Sequence, residues 1–543
     1  MPARSGRYMM KETKAASRRW LWGLFLLVFF LEYALGHYIS HIRGFISGDA
    51  LSRVANAFYV FYSRDPHLAA IGFVWNPLPS LLDLIPLLLW PIFPSVASSG
   101  LAGVFNTALF AALSAVFLFW LCLKNGFSIS LCLFIFLLYA FNPFIFIYGS
   151  NGMSEIIFAF FILLSVGFLT FWIQKQSTGM LVVIGFALGL AFLTRYESVV
   201  FGAALAASIP IVLLKNDKPD MKPGLRQKDW HYLIGKTEGS LIIVLVPAIF
   251  CGLVWMGLNY SIMGDALYFF RSGYSNLAFA KDLADNTEFT SMMGSPLNAF
   301  KYVLHKSVYF IGPLAVIMLL RLCSRKLFRW DMLILLLLTI SIPIMQMFML
   351  VKGASYGWLR FFFYPLVIGA GWIPYEIGLY RSSRSYKLVS SLFVGILAFS
   401  SITTGWAMTY GNIASEEHGL FQIESSGTFK EGRLAKEIAA YMDHIVEYSN
   451  GEAVTLTDSF SAFQIIVNSK YPKNLVITSD RNFQDALRNP QGAGIDYVLV
   501  PKPEGTALLA VNEQYPALFD QGADWCELEK DFGGAWRLYK VKH

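Results

Sequence analysis

Apolar runs of about 20 residues recur along three quarters of this chain, and few folds accept such a pattern. The first extends from Trp20 to about Tyr38. Others lie at roughly 101–123, 129–148, 155–173, 179–194, 198–214, 241–258, 303–320, 333–351, 361–379 and 388–410. Each is close to the length of about 20 residues that crosses a hydrocarbon core as a helix. Composition agrees: of 543 residues, 56% are hydrophobic and 15% charged, with a mean hydropathy of +0.52. Soluble domains have about 45–50% and about 25%. Disorder, fibrous repeats and nucleic-acid binding are poor fits. The reading is a polytopic α-helical membrane protein with about 11 transmembrane helices and a small C-terminal α/β soluble domain.

Charge divides the chain in two. Residues 1–409 carry 31 Lys and Arg against 17 Asp and Glu, whereas residues 410–543 carry 12 against 19. A basic membrane body points to positive-inside loops. The first run follows Arg4, Arg7, Lys11, Lys14, Arg18 and Arg19, no small-residue cleavage site follows it, and Glu32 interrupts it. It therefore reads as an uncleaved span with a cytoplasmic N-terminus rather than a signal peptide. On that assignment the cytoplasmic segments hold 21 Lys and Arg and the outer ones before the tail hold 10. An odd number of spans then places the tail outside. Leu81–Phe93 is apolar but contains Asp83, Pro86 and Pro91, and reads as a helix lying in the interface.

The tail, residues 411–543, has a different grammar. Lys430–Tyr448 has helical periodicity, and helix-like stretches at Phe460–Ser469 and Asn482–Arg488 alternate with β-type runs at Ala453–Thr457, Leu475–Thr478 and Tyr497–Val500. Trp536–Val541 is a candidate last strand. Such alternation predicts a small open α/β domain. It holds no Gly-rich phosphate loop and no triad spacing, which favours docking or acceptor positioning over independent catalysis. The cysteines (Cys122, Cys132, Cys251, Cys323, Cys526) are scattered without CxxC or metal-type spacing, against a disulfide scaffold or zinc site.

Ionisable residues at the ends of spans are costly and mark function. Here they gather on the outer side. The first outer loop, residues 37–100, carries Ser47-Gly48-Asp49-Ala50-Leu51-Ser52-Arg53, then Arg64-Asp65-Pro66-His67 and Trp75-Asn76-Pro77-Leu78-Pro79. Glu155 opens the fourth span after Gly149-Ser150-Asn151-Gly152. Thr194-Arg195-Tyr196-Glu197 forms a short turn, and Lys352 and Trp358-Leu359-Arg360 flank the ninth and tenth spans. Plainer readings stand beside the functional one. Arg53, four residues after Asp49, suits an ion pair on one helix face; Asp65-Pro66 suits a turn. Glu155 suits a helix N-terminus, and Lys352 and Arg360 suit snorkelling anchors. His67 suits an interfacial position rather than a metal ligand.

Together these features resemble the GT-C superfamily of integral-membrane glycosyltransferases, which includes the dolichyl-phosphate-mannose protein mannosyltransferases and the lipid A aminoarabinose transferase. The resemblance covers about residues 15–410. It rests on the Gly48-Asp49 loop, the interfacial apolar helix, Glu155 and the Leu190–Glu197 turn. Asn259–Phe269 and the Arg-aromatic-Pro entry at Trp358–Pro365 add to it. The resemblance implies a GT-C-like domain at 1–410 and an outer-facing domain at 411–543, in a multi-pass protein of a prokaryotic cell membrane. It also implies transfer of a hexosyl or pentosyl group from a polyprenyl-phosphate donor to a glycan, lipid or protein acceptor. Ala50 stands where many members have a second acidic residue; a divalent metal is left open and no ligand is assigned to one.

The chemistry that this implies needs cations for the departing phosphate, for which Arg195, Lys352 and Arg360 are the candidates, with Arg53 and Glu197 also at the substrate site. It needs a carboxylate to orient or deprotonate the acceptor hydroxyl, for which Asp49 ranks ahead of Glu155. Displacement opposite the phosphate would invert the anomeric centre. The alternative is a transporter or flippase of a lipid-linked saccharide, which calls for polar groups lining the cytoplasmic half of the bundle as well. A third possibility, a scaffold for envelope assembly, would leave Asp49 and Arg360 replaceable.

Overall fold

A computed structural model describes residues 3–216, 226–275, 290–425, 427–503 and 509–543. The chain is a polytopic helical membrane protein with a small C-terminal sheet domain. Among the described residues, seven helices are long and apolar enough to cross a membrane: those spanning Arg19–Ile42, Leu101–Lys124, Glu155–Lys175, Ser198–Lys215, Trp230–Met263, Trp330–Val351 and Tyr386–Met408. The pair Pro296–Ser307 and Gly312–Cys323 makes an eighth if counted as one span.

The expected span at 303–320 is thus not one straight helix. It bends by 93° between its two pieces. Pro313 lies in the first turn of the second piece, and a proline disfavours helical backbone in the residue before it and donates no N–H. The 129–148 run is divided in the same way into Ile129–Ala140 and Pro143–Tyr148. There Asn142 caps the second piece, its side chain accepting from the Phe144 N–H at 3.1 Å. Thr178–Thr194 and Tyr364–Leu379 are helical but shorter than the full-length spans. Glu32, the charge inside the first run, is fully buried, with its carboxylate against Gly149; a carboxylate at membrane depth faces protein rather than lipid.

The first loop folds into the helix Gly48–Tyr62, a turn at Leu68–Ile71 and the helix Leu78–Leu87. Asp83 on this last helix is buried and accepts from Asn106 Nδ2 at 2.7 Å. Burial pushes its carboxyl up to about 7, against the Asn106 hydrogen bond and the pull of Arg53.

In the tail, a helix at Gly427–Tyr448 leads into a five-stranded sheet. Its strands are β1 (Thr455–Leu456), β2 (Leu475–Val476), β3 (Tyr497–Pro501), β4 (Cys526–Phe532) and β5 (Trp536–Val541). The order is β2-β1-β3-β5-β4, with β1 parallel to β2 and β3, and β5 antiparallel to β3 and β4. β4 was not expected: its residues Cys-Glu-Leu-Glu-Lys-Asp-Phe are mostly charged, and its exposed edge position tolerates that.

The tail docks on the first loop through a shared apolar core. Leu51, Val54, Phe58 and Tyr59 of the Gly48–Tyr62 helix pack with Ile438, Met442, Ala462 and Ile465 of the tail. Polar contacts fix the register. The Arg64 guanidinium donates to the Lys473 carbonyl at 3.2 Å. The Asp65 N–H donates to Asp480 Oδ1 at 3.3 Å, and the Arg481 N–H donates to Asp65 Oδ2 at 3.2 Å. Asp65, read above as a turn residue, is part of this joint. The loop after the first span and the domain after the last one therefore lie on the same side of the bundle.

Candidate functional site

The site is built where four chain segments meet at that end of the bundle. Ser47 precedes the Gly48–Tyr62 helix and Asp49 lies in its first turn. The loop before Glu155 reaches this helix because Gly152 has a φ of +78° and no side chain; a Cβ there would stand 3.3 Å from the Ala50 Cβ. Glu155 is fully buried at the start of its span. Arg195 ends the Thr178–Thr194 helix in extended backbone. Arg360 sits on a 3₁₀ turn, Leu359–Phe362, ahead of the Tyr364–Leu379 helix.

These segments bring five of the predicted residues into one ion cluster. Arg360 Nη2 donates to Asp49 Oδ2 at 2.7 Å, and its Nε lies 3.4 Å from Glu155 Oε1. Arg195 Nη1 donates to Glu155 Oε1 at 2.5 Å, and Nη2 donates to Glu197 Oε1 at 2.6 Å. Glu155 thus bridges the two guanidiniums, and Glu197 completes the row. Both guanidiniums have aromatic rings at their faces: Arg360 lies over Trp358 at 4.4 Å, and both lie over Phe361. Burial opposes the charge on Asp49, but Arg360 and Arg53 outweigh it and hold the carboxyl below its ordinary value. Arg195 is likewise burdened by burial, yet Glu155 and Glu197 hold it well above the usual arginine value.

Two expectations are corrected. Arg53 does not pair with the Asp49 carboxylate: its Nη1 reaches the Asp49 backbone carbonyl at 3.5 Å and its guanidinium stacks on Trp75 at 4.4 Å. The carboxylate is taken by Arg360, a partner 311 positions away. Lys352 does not join the cluster. It is exposed, with Nζ over the Phe348 ring at 5.8 Å, and forms no ion pair among the described residues.

Two acids that sequence reasoning passed over belong to the site. Glu416 and Glu417 lie on the short helix Ser415–His418 between the last span and the tail. Glu416 Oε2 is 3.1 Å from Arg360 Nε, and Glu417 Oε1 accepts from the Tyr148 hydroxyl at 2.6 Å. Burial lifts the Glu416 carboxyl to about 8, with Glu417, Asp49 and Glu155 adding to it against the pull of Arg360. Burial raises Glu417 as well. The signal was present, since an acidic pair follows the last span on the side where the other charges gather, but it was counted with the tail. Arg360, Glu416, Glu417, Tyr148 and Asn151 line a cavity of about 170 Å³ beside the cluster.

The opposite end of the bundle has a charged cluster of its own, reached along the Trp330–Val351 helix, whose far end leads toward Arg360. Arg321 Nη1 donates to Asp331 Oδ1, and Nη2 to Glu376 Oε2, both at 2.6 Å. Arg329 and the Tyr375 hydroxyl hold the other Asp331 oxygen at 2.6 and 2.9 Å. Arg321 is buried. This network is mutually satisfied, as a buried polar network must be to remain intact. Arg321 and Arg329 tie three helices together.

Among the described residues, no three His, Cys, Asp or Glu side chains come together as a set able to hold a metal ion. Asp49 and Glu155 are each committed to arginines.

Residues 84–223 match the family model of dolichyl-phosphate-mannose-protein mannosyltransferases. Over these residues the match agrees with the resemblance drawn from the sequence. The solved structures similar to this chain include ArnT from Cupriavidus metallidurans bound to undecaprenyl phosphate, at 11% identity and a TM-score of 0.49, covering 95% of this chain and 97% of that one. The same ArnT in the apo state gives 12%, 0.48, 96% and 98%. The apo oligosaccharyltransferase of Archaeoglobus fulgidus gives 12%, 0.41, 88% and 69%. No match was found among curated proteins.

Proposed function

We propose that this protein transfers a sugar from a polyprenyl-phosphate donor to an acceptor at the outer face of the membrane, with inversion. The observation that carries the reading is the joining of Asp49, Glu155, Arg195 and Arg360 in one buried cluster beside a cavity. The family match over residues 84–223 supports the reaction class. Arg195 and Arg360 are suited to the donor phosphate: they are preorganised and always charged, Arg360 buried and Arg195 largely so, and they stabilise the leaving anion without reorganising. Arg53 and Glu197 shape the same site, and Lys352 is set aside as a phosphate ligand. Asp49, half-exposed and held ionised, is placed to orient the acceptor hydroxyl. The acceptor oxygen bonds to the anomeric carbon as the carbon–phosphate oxygen bond breaks, and the hydroxyl proton passes to the carboxylate. Glu155 is the second choice, being fully buried with its Oε1 shared by two arginines.

In this reading the N-terminus is cytoplasmic and the tail domain lies outside, covering the site. The paired state of the Arg321 cluster favours transfer over transport: the charges at that end tie helices together rather than line a path. The decisive experiment incubates the purified protein with a panel of polyprenyl-phosphate sugars. Release of polyprenyl phosphate from at least one is expected; no release from any member, by folded protein with acceptor extracts present, would defeat the reading.

A further inference from the structure

The carboxylates around Arg360 outnumber the cations. Asp49, Glu155, Glu197, Glu416 and Glu417 gather about Arg195 and Arg360, with Arg53 at the Asp49 backbone beside them. A phosphate entering such a site adds negative charge beside acids already in excess, so one of them must give way.

Geometry distinguishes among them. Asp49, Glu155 and Glu197 each accept a direct hydrogen bond from a guanidinium at 2.5–2.7 Å, and Glu417 accepts one from Tyr148. Glu416 is different. Its Oε2 lies 3.1 Å from Arg360 Nε, yet neither atom makes an aligned hydrogen bond, and both are buried. An approach without alignment forgoes most of the strength of a charge-assisted bond. Glu416 shares with Glu417 the segment joining span to tail, and its side chain, 28% exposed, borders the cavity.

We propose that Glu416 occupies the donor-phosphate position on Arg360 and that the incoming phosphate displaces it. The proposal rests on the reading of Arg360 as the phosphate ligand. It makes Glu416 a positioning residue: it holds the phosphate-facing edge of a buried guanidinium until the donor arrives, and it sets the affinity for the donor. The unaligned Arg360 Nε–H is then the donor that the phosphate oxygen takes over, while Nη2 stays on Asp49. The competing arrangement lowers apparent affinity by the fraction of molecules free of it.

The test measures equilibrium binding of polyprenyl phosphate itself at pH 9, where the Glu416 carboxyl is ionised, to purified full-length protein in lipid nanodiscs, for the wild type, Glu416→Gln, Glu416→Ala and Arg360→Ala. Both Glu416 variants should bind more tightly, by about tenfold if the Glu416-bound arrangement holds roughly nine tenths of the population, and Arg360→Ala should bind much more weakly. Unchanged or weaker binding in both Glu416 variants, with Arg360→Ala impaired, overturns the proposal and leaves the phosphate site standing. Wild-type binding retained in Arg360→Ala overturns both. Thermal unfolding of each variant establishes that the compared proteins are folded, and the near-isosteric Gln variant stands in should the Ala variant unfold.

Discussion

Arg360 and Asp49 are joined at 2.7 Å although 311 positions separate them. The pair fixes the start of the first-loop helix against the turn that precedes a late span, and it assigns Asp49 a different partner from the neighbour that helical spacing suggests. Asp49→Asn separates a chemical role from a structural one. Asn keeps the shape and can still accept from Arg360, but it takes up no proton at neutral pH. Turnover should fall by roughly 10²–10⁴-fold, the contribution of a general base, while polyprenyl-phosphate binding stays near normal. Folded Asp49→Asn protein with normal turnover would pass the role to Glu155.

The cations should not be equivalent. Arg360 is 2% exposed and Arg195 is shielded by Glu155 and Glu197. Removing Arg195 leaves the buried Glu197 without its partner, which costs on the order of 3–5 kcal/mol; removing Arg360 frees the half-exposed Asp49 at a smaller cost, and either change removes a phosphate ligand. Arg360→Ala and Arg195→Ala should lose donor binding together with stability. Lys352→Ala, at an exposed position resting on Phe348, should change neither by more than about 0.5 kcal/mol. Titration of polyprenyl phosphate with parallel thermal melts checks all three.

What the sequence discloses and what it hides follow from physical range. Spans are local, since a run of apolar residues specifies its own helix. All seven full-length helices among the described residues fall on expected runs. Pro143 and Pro313 divide two other runs, and those at 179–194 and 361–379 form shorter helices. The tail's helices and most of its strands were legible from short alternations, whereas the charged edge strand Cys526–Phe532 hid its pattern. Asp49, Glu155, Arg195 and Arg360 stood out because charge beside a span is expensive. Their pairing was not readable, because the choice of Arg360 over Arg53 depends on how distant loops pack. Glu416 was missed for the same reason. Nothing near it in sequence shows that the chain folds back onto Arg360.

Topology can be tested through the joint between tail and first loop. Because Leu51, Phe58, Ile438 and Ile465 share one core, both segments must face the same compartment. In a background lacking native cysteines, Tyr448→Cys, at a position 88% exposed, and Arg64→Cys should both react with a membrane-impermeant reagent added to intact cells. Labelling of one without the other would refute the docking. Protection of both would place the tail and the site in the cytoplasm.

Gly152 offers a backbone test of the site. Its φ of +78° strains any side-chain-bearing residue, and its approach to Ala50 leaves a Cβ only a tight fit. Gly152→Ala should cost about 1–3 kcal/mol through left-handed strain and push the Glu155 loop away from Asp49. Its expected signature is a lower melting temperature with weaker polyprenyl-phosphate binding. A variant equally stable and equally tight in binding would show that the loop is held by other contacts.

The acids near Arg360 should also make stability depend on pH, and the sign is set by the direction of their shifts. Burial raises Glu416 to about 8 and raises Glu417 too, while Arg360, Glu417, Asp49 and Glu155 are the charges that Glu416 faces. A carboxyl that holds its proton more tightly when folded stabilises the fold fully below its ordinary value, near 4.5. That contribution is lost as pH rises through about 8, because the folded chain then binds more protons than the unfolded one. Asp49, held low by Arg360 and Arg53, works in the opposite sense and at more acidic pH. Between pH 6 and 8.5, therefore, the Glu416 trend should dominate: the wild type should lose stability on the order of 1–3 kcal/mol, discounted for its partial exposure. Glu416→Gln, with no proton to lose, should show a flatter profile over that window. Melting temperatures of the two proteins across the range decide the matter, and parallel slopes would mean that Glu416 is already ionised at pH 6 and that its pairing with Arg360 is stronger than its unaligned geometry indicates.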